Sequence, residues 1–317
     1  MSGASATQRV PKAADPASGG ALPNVLVIGA MKCGTSALHY YLDLHPEISM
    51  SSPKELNFFC GEPELPDEMS SLAESERRLI AASSRTWSRG PRWYASQFDP
   101  DAPLRGEASP NYTAPWQPRA AERMASTVPD ARLLFMVRDP LRQLVSQYLH
   151  YRHGGNEARP IAEALADPHG IYLERARYHA RLRPYLERFP RERILVLSQE
   201  RLHGHRREAI VEVFRFLGVE EAFFSPRMER DRHRSGSKGR RARLLRTVQH
   251  GRLGRVAGRW LPQEAKWYLE RLASAGRRTE PEARIDDATR TRVLEALAED
   301  VARLREATGL RLEEWSI

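Results

Sequence analysis

The amino-acid sequence predicts an α/β fold of three layers, a mostly parallel central sheet flanked by helices, on three observations. Apolar runs at 25–28, 133–137 and 194–197 have the unbroken hydrophobicity of strands buried on both faces. Stretches with helical spacing lie between them, and that alternation is how parallel strands are connected. The chain has 317 residues, 41 % of them apolar, enough to bury a core of this kind. No internal repeat or boundary is visible, so residues 23–317 are read as one domain. Residues 1–22, rich in Ala, Ser, Gly and Pro and lacking an apolar core, are read as a disordered leader and not a signal peptide.

The elements follow in order. The first strand, 25–28, leads through a glycine-bearing turn into a helix from Ser36 to Leu42 that stops at His45-Pro46. Residues 48–51 form a short candidate strand, 62–67 a loop, and 70–82 have helical spacing. Residues 104–109 are a further candidate strand, closed by the turn-like Pro110-Asn111-Tyr112. The strand at 132–137 runs straight into Arg138-Asp139-Pro140 and a helix over 141–151. Gly154, Gly155 and Pro160 mark a loop before helical stretches at 161–166 and 171–187. A strand at 193–198 and a helix over 207–217 ending at Gly218 come next. Residues 225–242 read as a basic loop, and helices dominate to the end, notably 284–308.

Chemistry concentrates at the first turn, Gly29-Ala-Met-Lys32-Cys33-Gly34-Thr35-Ser36. Glycines let the backbone approach an oxyanion, helix N-terminal N–H groups bind it, and a lysine adds a mobile charge. The turn approaches the nucleotide-triphosphatase pattern G-x-x-x-x-G-K-[ST], but Thr35 stands where the lysine belongs and Lys32 precedes the second glycine. The plainer alternative is an ordinary strand–helix turn with an exposed lysine. A second cluster, Arg138 with Ser146 eight residues on, lies at the C-terminal end of a strand and suits a clamp for a separate phosphate; an arginine capping the next helix is the alternative. Lys54-Glu55, beside Phe58 and Phe59, reads as a site edge or as an exposed ion pair over buried rings. Ser237-Lys238-Gly239-Arg240 suits a basic loop over an anion or solvated surface.

Together these segments resemble the sulfotransferases that use 3′-phosphoadenosine 5′-phosphosulfate (PAPS). The Gly29–Ser36 turn looks like that family's 5′-phosphosulfate loop, and Arg138-Asp-Pro-x-x-Arg142-x-x-x-Ser146-x-Tyr148 looks like its 3′-phosphate strand and helix. Lys54-Glu55-Leu-Asn-Phe58-Phe59 is similar to the branch acting on carbohydrates, including the heparan sulfate enzymes. Glu107-Ala-Ser109-Pro-Asn-Tyr112 resembles a turn near the acceptor, and Lys238-Gly239-Arg240 a loop over the nucleotide. The likeness runs from about Asn24 to Trp315.

The resemblance implies a P-loop NTPase-like fold and transfer of a sulfuryl group from PAPS to a hydroxyl or amine, with no metal. Lys32, Cys33, Gly34, Thr35, Ser36, Arg138, Ser146, Lys238, Gly239 and Arg240 would bind the donor. Lys54, Glu55, Phe58, Glu107, Ser109 and Tyr112 would meet the acceptor, most readily a glycan or glycoconjugate. Lys32, Lys54 and Glu55 would be catalytic, with Glu55 the general base; His39, His45 and His150 rank below it.

The net charge of +9 implies anionic partners (a phosphate-bearing donor, an acidic polymer, nucleic acid or an anionic membrane face) without choosing among them. A phosphotransferase would share the fold but should carry lysine after Gly34. A nucleic-acid-binding protein would use Arg232 to Arg246, but leaves two phosphate sites on a sheet unexplained, so nucleic acid is not expected. Cys33 and Cys60 have neither disulfide nor metal spacing. No stretch reaches the roughly 18 apolar residues of a membrane span, and a cytoplasmic protein, most naturally bacterial, is expected.

Overall fold

The computed structural model describes residues 20–229 and 285–317. Five strands, β1 (Val25–Gly29), β2 (Ile48–Met50), β3 (Leu104–Ala108), β4 (Arg132–Val137) and β5 (Ile194–Ser198), form one sheet. Their order is β2-β3-β1-β4-β5, and every pair is parallel. Residues 25–28 and 133–137 are at most 1 % exposed, which is why both segments read as continuous apolar runs. β1 has β3 on one side and β4 on the other. The sheet grows outward in both directions from that strand, and open α/β sheets hold ligands in the crevice beyond such a switch point.

The helices are α1 (Thr35–Asp43), α2 (Glu74–Ala81), α3 (Gly90–Ala95), α4 (Ala120–Thr127), α5 (Pro140–His153) and α6 (Ile161–Ala164). α7 (Ile171–Ala176), α8 (Tyr178–Leu186), α9 (Gln199–Gly204), α10 (Arg206–Leu217) and α11 (Asp287–Thr308) complete the set among the described residues. The main core surrounds the sheet. A second apolar cluster, including Leu144, Tyr172, Leu173, Val293 and Leu297, joins α5, α7 and α11.

Two features depart from the sequence reading. The helical stretch at 171–187 breaks at Arg177 (φ −75°, ψ 73°) into α7 and α8. The break is stable because Asp300, on α11, accepts the His179 and Ala180 backbone N–H groups at 2.9 Å each. A carboxylate about 120 residues away in sequence thus serves as the cap that opens α8. α3, α4 and α9 were not expected; at six to eight residues they are too short to display a helical period. Residues 1–19 of the leader, and Lys238, Gly239 and Arg240 with most of the 225–242 loop, lie outside the described residues. No described helix is long and apolar enough to cross a membrane.

One long-range tie bears directly on the crevice. Asp139, fully buried, caps α5 by accepting the Arg142 N–H at 2.9 Å, with Pro140 at the first helical position. Its backbone N–H donates to Glu200 Oε1 at 3.1 Å. The C-terminal segment closes the same knot: Trp315 Nε1 donates to Glu200 Oε2 at 3.3 Å, and the Ser316 N–H donates to Asp139 Oδ2. Trp315 also packs against Tyr178, ring centroids 5.8 Å apart.

Candidate active site

A cleft of about 380 Å³ opens at the C-terminal end of the sheet. Its lining includes Lys32, Gly34, Thr35 and Ser36 of the first turn, Glu55, and Arg138. Three segments spread over more than a hundred residues therefore meet in one place.

The turn is held from beneath. The Ala30 N–H donates to Met136 O at 2.7 Å, and Gln143 Nε2 donates to Met31 O at 3.1 Å, so β4 and α5 both grip it. At Gly29 any Cβ would sit 2.2 Å from Thr113 Oγ1, so only glycine fits. Gly34 (φ +95°) opens α1 in the left-handed region and provides no side-chain cap, and no acidic residue stands in the first turn. Uncapped N–H groups at the start of a nine-residue helix, lining a cleft beside a lysine, fit an anion. Lys32 also has a positive φ of 66°, a conformation costing a non-glycine residue about 1–3 kcal/mol.

Glu55 is exposed and bound to its neighbour: Lys54 Nζ lies 2.6 Å from Oε1. Glu55 and Asn57 have φ of +68° and +52°, two left-handed residues in one short turn. The brace for this turn comes from residues expected to touch the acceptor. Glu107 is fully buried and accepts the hydroxyls of Ser109 (2.6 Å), Tyr94 and Tyr112. A carboxylate only accepts, so these hydroxyls must donate to it, and their lone pairs are left for backbone donors. Ser109 Oγ takes the Asn57 N–H and Tyr112 Oη the Phe58 N–H, both at 3.0 Å. Phe58 stacks on Tyr94, centroids 4.0 Å apart. Phe58, Glu107, Ser109 and Tyr112, expected at the acceptor, are at most 1 % exposed and stand outside the cleft lining, behind the turn that carries Glu55. Burial pushes the Glu107 carboxyl upward, against its three hydroxyl bonds.

Cys33 differs from its neighbours in the turn. Its side chain is buried against Tyr178 Oη at 3.4 Å, and burial pushes the thiol up to about 12. Cys33 supplies core packing, and its side chain does not line the cleft. Cys60 is likewise buried and free. Arg138 lines the cleft and donates to Lys32 O at 3.4 Å, while Ser146 is buried on α5 outside the lining.

The histidines separate clearly. His45 has both ring nitrogens engaged, with Glu220 O and with the Glu47 N–H. His39 contacts Ser51 O at 3.2 Å through Nε2; burial, then the Lys54 charge, lowers it to about 4. His150 does line the cleft, as does His203, which the sequence reading did not single out. Arg175 was missed as well. It is 5 % exposed yet lines the cleft, its guanidinium 4.4 Å above the Trp116 ring and its Nη2 donating to Asn111 Oδ1 at 2.9 Å. Its one sequence signal is an arginine set among Ile171, Tyr172, Leu173 and Ala176, a stretch too apolar for a solvated helix face.

Comparison with known proteins gives a consistent picture. The model of the Sulfotransferase family matches residues 23–226, more than half of the chain. A membrane-associated sulfotransferase of Dictyostelium discoideum is 33 % identical over 132 residues, 40 % of this chain and 22 % of that protein. Human heparan sulfate glucosamine 3-O-sulfotransferase 6 is 26 % identical over 264 residues, covering 79 % of this chain and 67 % of the relative. For several other curated relatives the chain spans only about a quarter of their length. A sulfotransferase crystal structure from Alicyclobacillus acidocaldarius shares the fold, with a TM-score of 0.64 and 24 % identity over 94 % of this chain and all of that one.

Proposed function

This chain belongs to the sulfotransferase family, and from that premise we propose that it transfers a sulfuryl group from PAPS to a hydroxyl or amine of a carbohydrate or glycoconjugate. The observation that carries the proposal is the meeting of Lys32, Arg138 and Glu55 in one cleft beside an uncapped helix N-terminus. PAPS, when bound, supplies an activated sulfuryl group and leaves as adenosine 3′,5′-bisphosphate.

The residues of the chain have separable tasks in this reading. The first turn of α1, with Lys32, holds the 5′-phosphate and neutralises the charge that grows there, the largest contribution a site of this kind makes. Arg138 takes the 3′-phosphate in a guanidinium fork. Glu55 accepts the proton of the acceptor. Its Oε1 is engaged by Lys54, so Oε2 is the oxygen assigned to that proton. The carbohydrate acceptor rests on the relatives whose names carry heparan sulfate and on the resemblance of the Lys54–Phe59 stretch to the carbohydrate-acting branch.

The test is thermal unfolding with adenosine 3′,5′-bisphosphate against ADP, both at one concentration, a hundredfold the dissociation constant of the bisphosphate. Stabilisation by about 2.7 kcal/mol is expected with the bisphosphate. A shift equal to that of ADP would defeat the donor assignment. A second arm follows binding of the bisphosphate to the Arg138→Ala variant, where affinity should fall at least tenfold.

A further inference from the structure

We propose that Arg175, with Trp116 and Asn111, forms an oxyanion subsite that receives a sulfate or carboxylate group carried by the acceptor, next to Glu55. The inference rests on the reading of this cleft as a sulfotransfer site and adds a specificity element to it.

Four observations converge. Arg175 is a 95 % buried cation, and no carboxylate among the described residues forms an ion pair with it. Burying an unpaired charge is costly, and the penalty is recovered when an anion arrives. Its Nε–H has no acceptor among the described residues, and neither has the Nε1–H of Trp116, the ring on which it stacks. Two buried donors without partners thus lie together in the wall of the cleft. The indole covers one face of the guanidinium and Asn111 takes Nη2, which leaves the Nε–H edge of the fork as the in-plane donor for an oxyanion.

A hydrogen-bonded chain points to the acceptor. From Arg175 it runs through Asn111 Oδ1, then from Asn111 Nδ2 to Asn57 Oδ1 at 3.3 Å, then from Asn57 Nδ2 to Glu55 O at 2.9 Å. The cation is therefore in register with the backbone of the proposed base, whereas Lys32 and Arg138 are tied to each other through the Lys32 carbonyl. A group held by Arg175 would place a neighbouring hydroxyl or amine within the reach of Glu55.

The experiment titrates sodium sulfate into the full chain saturated with adenosine 3′,5′-bisphosphate, against sodium chloride at matched ionic strength. The wild type should bind sulfate, and Arg175→Gln, which keeps a donor for Asn111, should bind it at least tenfold more weakly with unchanged affinity for the bisphosphate. Asn111→Asp should also abolish sulfate binding, because it gives Arg175 a carboxylate within the fold, and should do so without lowering the melting temperature. Equal sulfate affinity in wild type and Arg175→Gln overturns the subsite.

Two further arms identify the source of the oxyanion. If Arg175→Gln loses the preference for PAPS over the bisphosphate, the donor's own sulfuryl group is the occupant and the acceptor assignment falls. If that preference stays and Arg175→Gln ceases to favour a uronate-bearing oligosaccharide over its carboxyl-reduced form, the assignment holds. Failure of the bisphosphate to bind wild type would defeat the donor reading alone, since sulfate titration of the free chain still reads Arg175.

Discussion

Glu55 occupies a strained backbone position (φ +68°), and that strain is sustained by side chains buried behind it. Ser109 and Tyr112 each donate a hydroxyl hydrogen bond to Glu107 and accept one from a backbone N–H of the turn that carries Glu55. Ser109→Ala should therefore leave the Asn57 N–H unsatisfied and cost about 1–3 kcal/mol, measured by chemical denaturation. Glu55→Gln should behave oppositely: an unchanged denaturation midpoint and bisphosphate affinity, with kcat lowered about 10²–10⁴-fold. A near-normal kcat in that variant would remove Glu55 as the base. His39 adds a pH signature. In the unfolded chain its ring titrates at its ordinary value of 6.5, in the fold only near 4, so below 6.5 the unfolded chain binds more protons. Stability present at neutral pH is lost as the pH falls from 6.5 toward 4, by an order of 3 kcal/mol at most. His39→Asn should flatten that slope in pH-dependent melting.

At the scale of elements, what was legible in the sequence had local causes. β1 and β4 announce themselves because parallel central strands are apolar throughout, and α5 because Asp139-Pro140 is both cap and first residue. The Gly29–Ser36 turn was readable for the same reason. Its glycines answer steric demands on the spot, and Gly29→Ala should cost about 1–3 kcal/mol through collision with Thr113 and Phe135. What could not be read depends on partners far away in the chain. The start of α8 is capped by Asp300, and Arg175 is carried to the cleft on α7, which packs on α5 and α11 and is tied to α5 by Gln147 Nε2 donating to Ile171 O. That Phe58, Glu107, Ser109 and Tyr112 lie buried behind the cleft was equally hidden, since the sequence does not reveal which hydroxyls a buried carboxylate gathers. Asp300→Ala should thus destabilise by about 0.5–2 kcal/mol with bisphosphate affinity unchanged, as denaturation and titration would show.

At the scale of the whole molecule, the crevice is finished by a segment distant in sequence from everything else that forms it. Trp315 and Leu312 are 7 % and 6 % exposed and belong to the main core, while Ser316 closes on Asp139. A chain stopped after residue 310 should melt at a lower temperature and bind adenosine 3′,5′-bisphosphate more weakly; unchanged affinity would show that the knot at Asp139 and Glu200 does not support Arg138. This tie also sets a timetable for biogenesis. Ser316 leaves the ribosome 177 residues after Asp139, a wait of roughly 10–35 s at about 5–20 residues per second. Throughout that interval a nascent chain already carries the Gly29–Ser36 turn and Arg138, yet lacks the latch behind them. Chains stalled on the ribosome before residue 316 should therefore bind adenosine 3′,5′-bisphosphate more weakly than the released protein, and equal affinity would show that the latch has no part in forming the site.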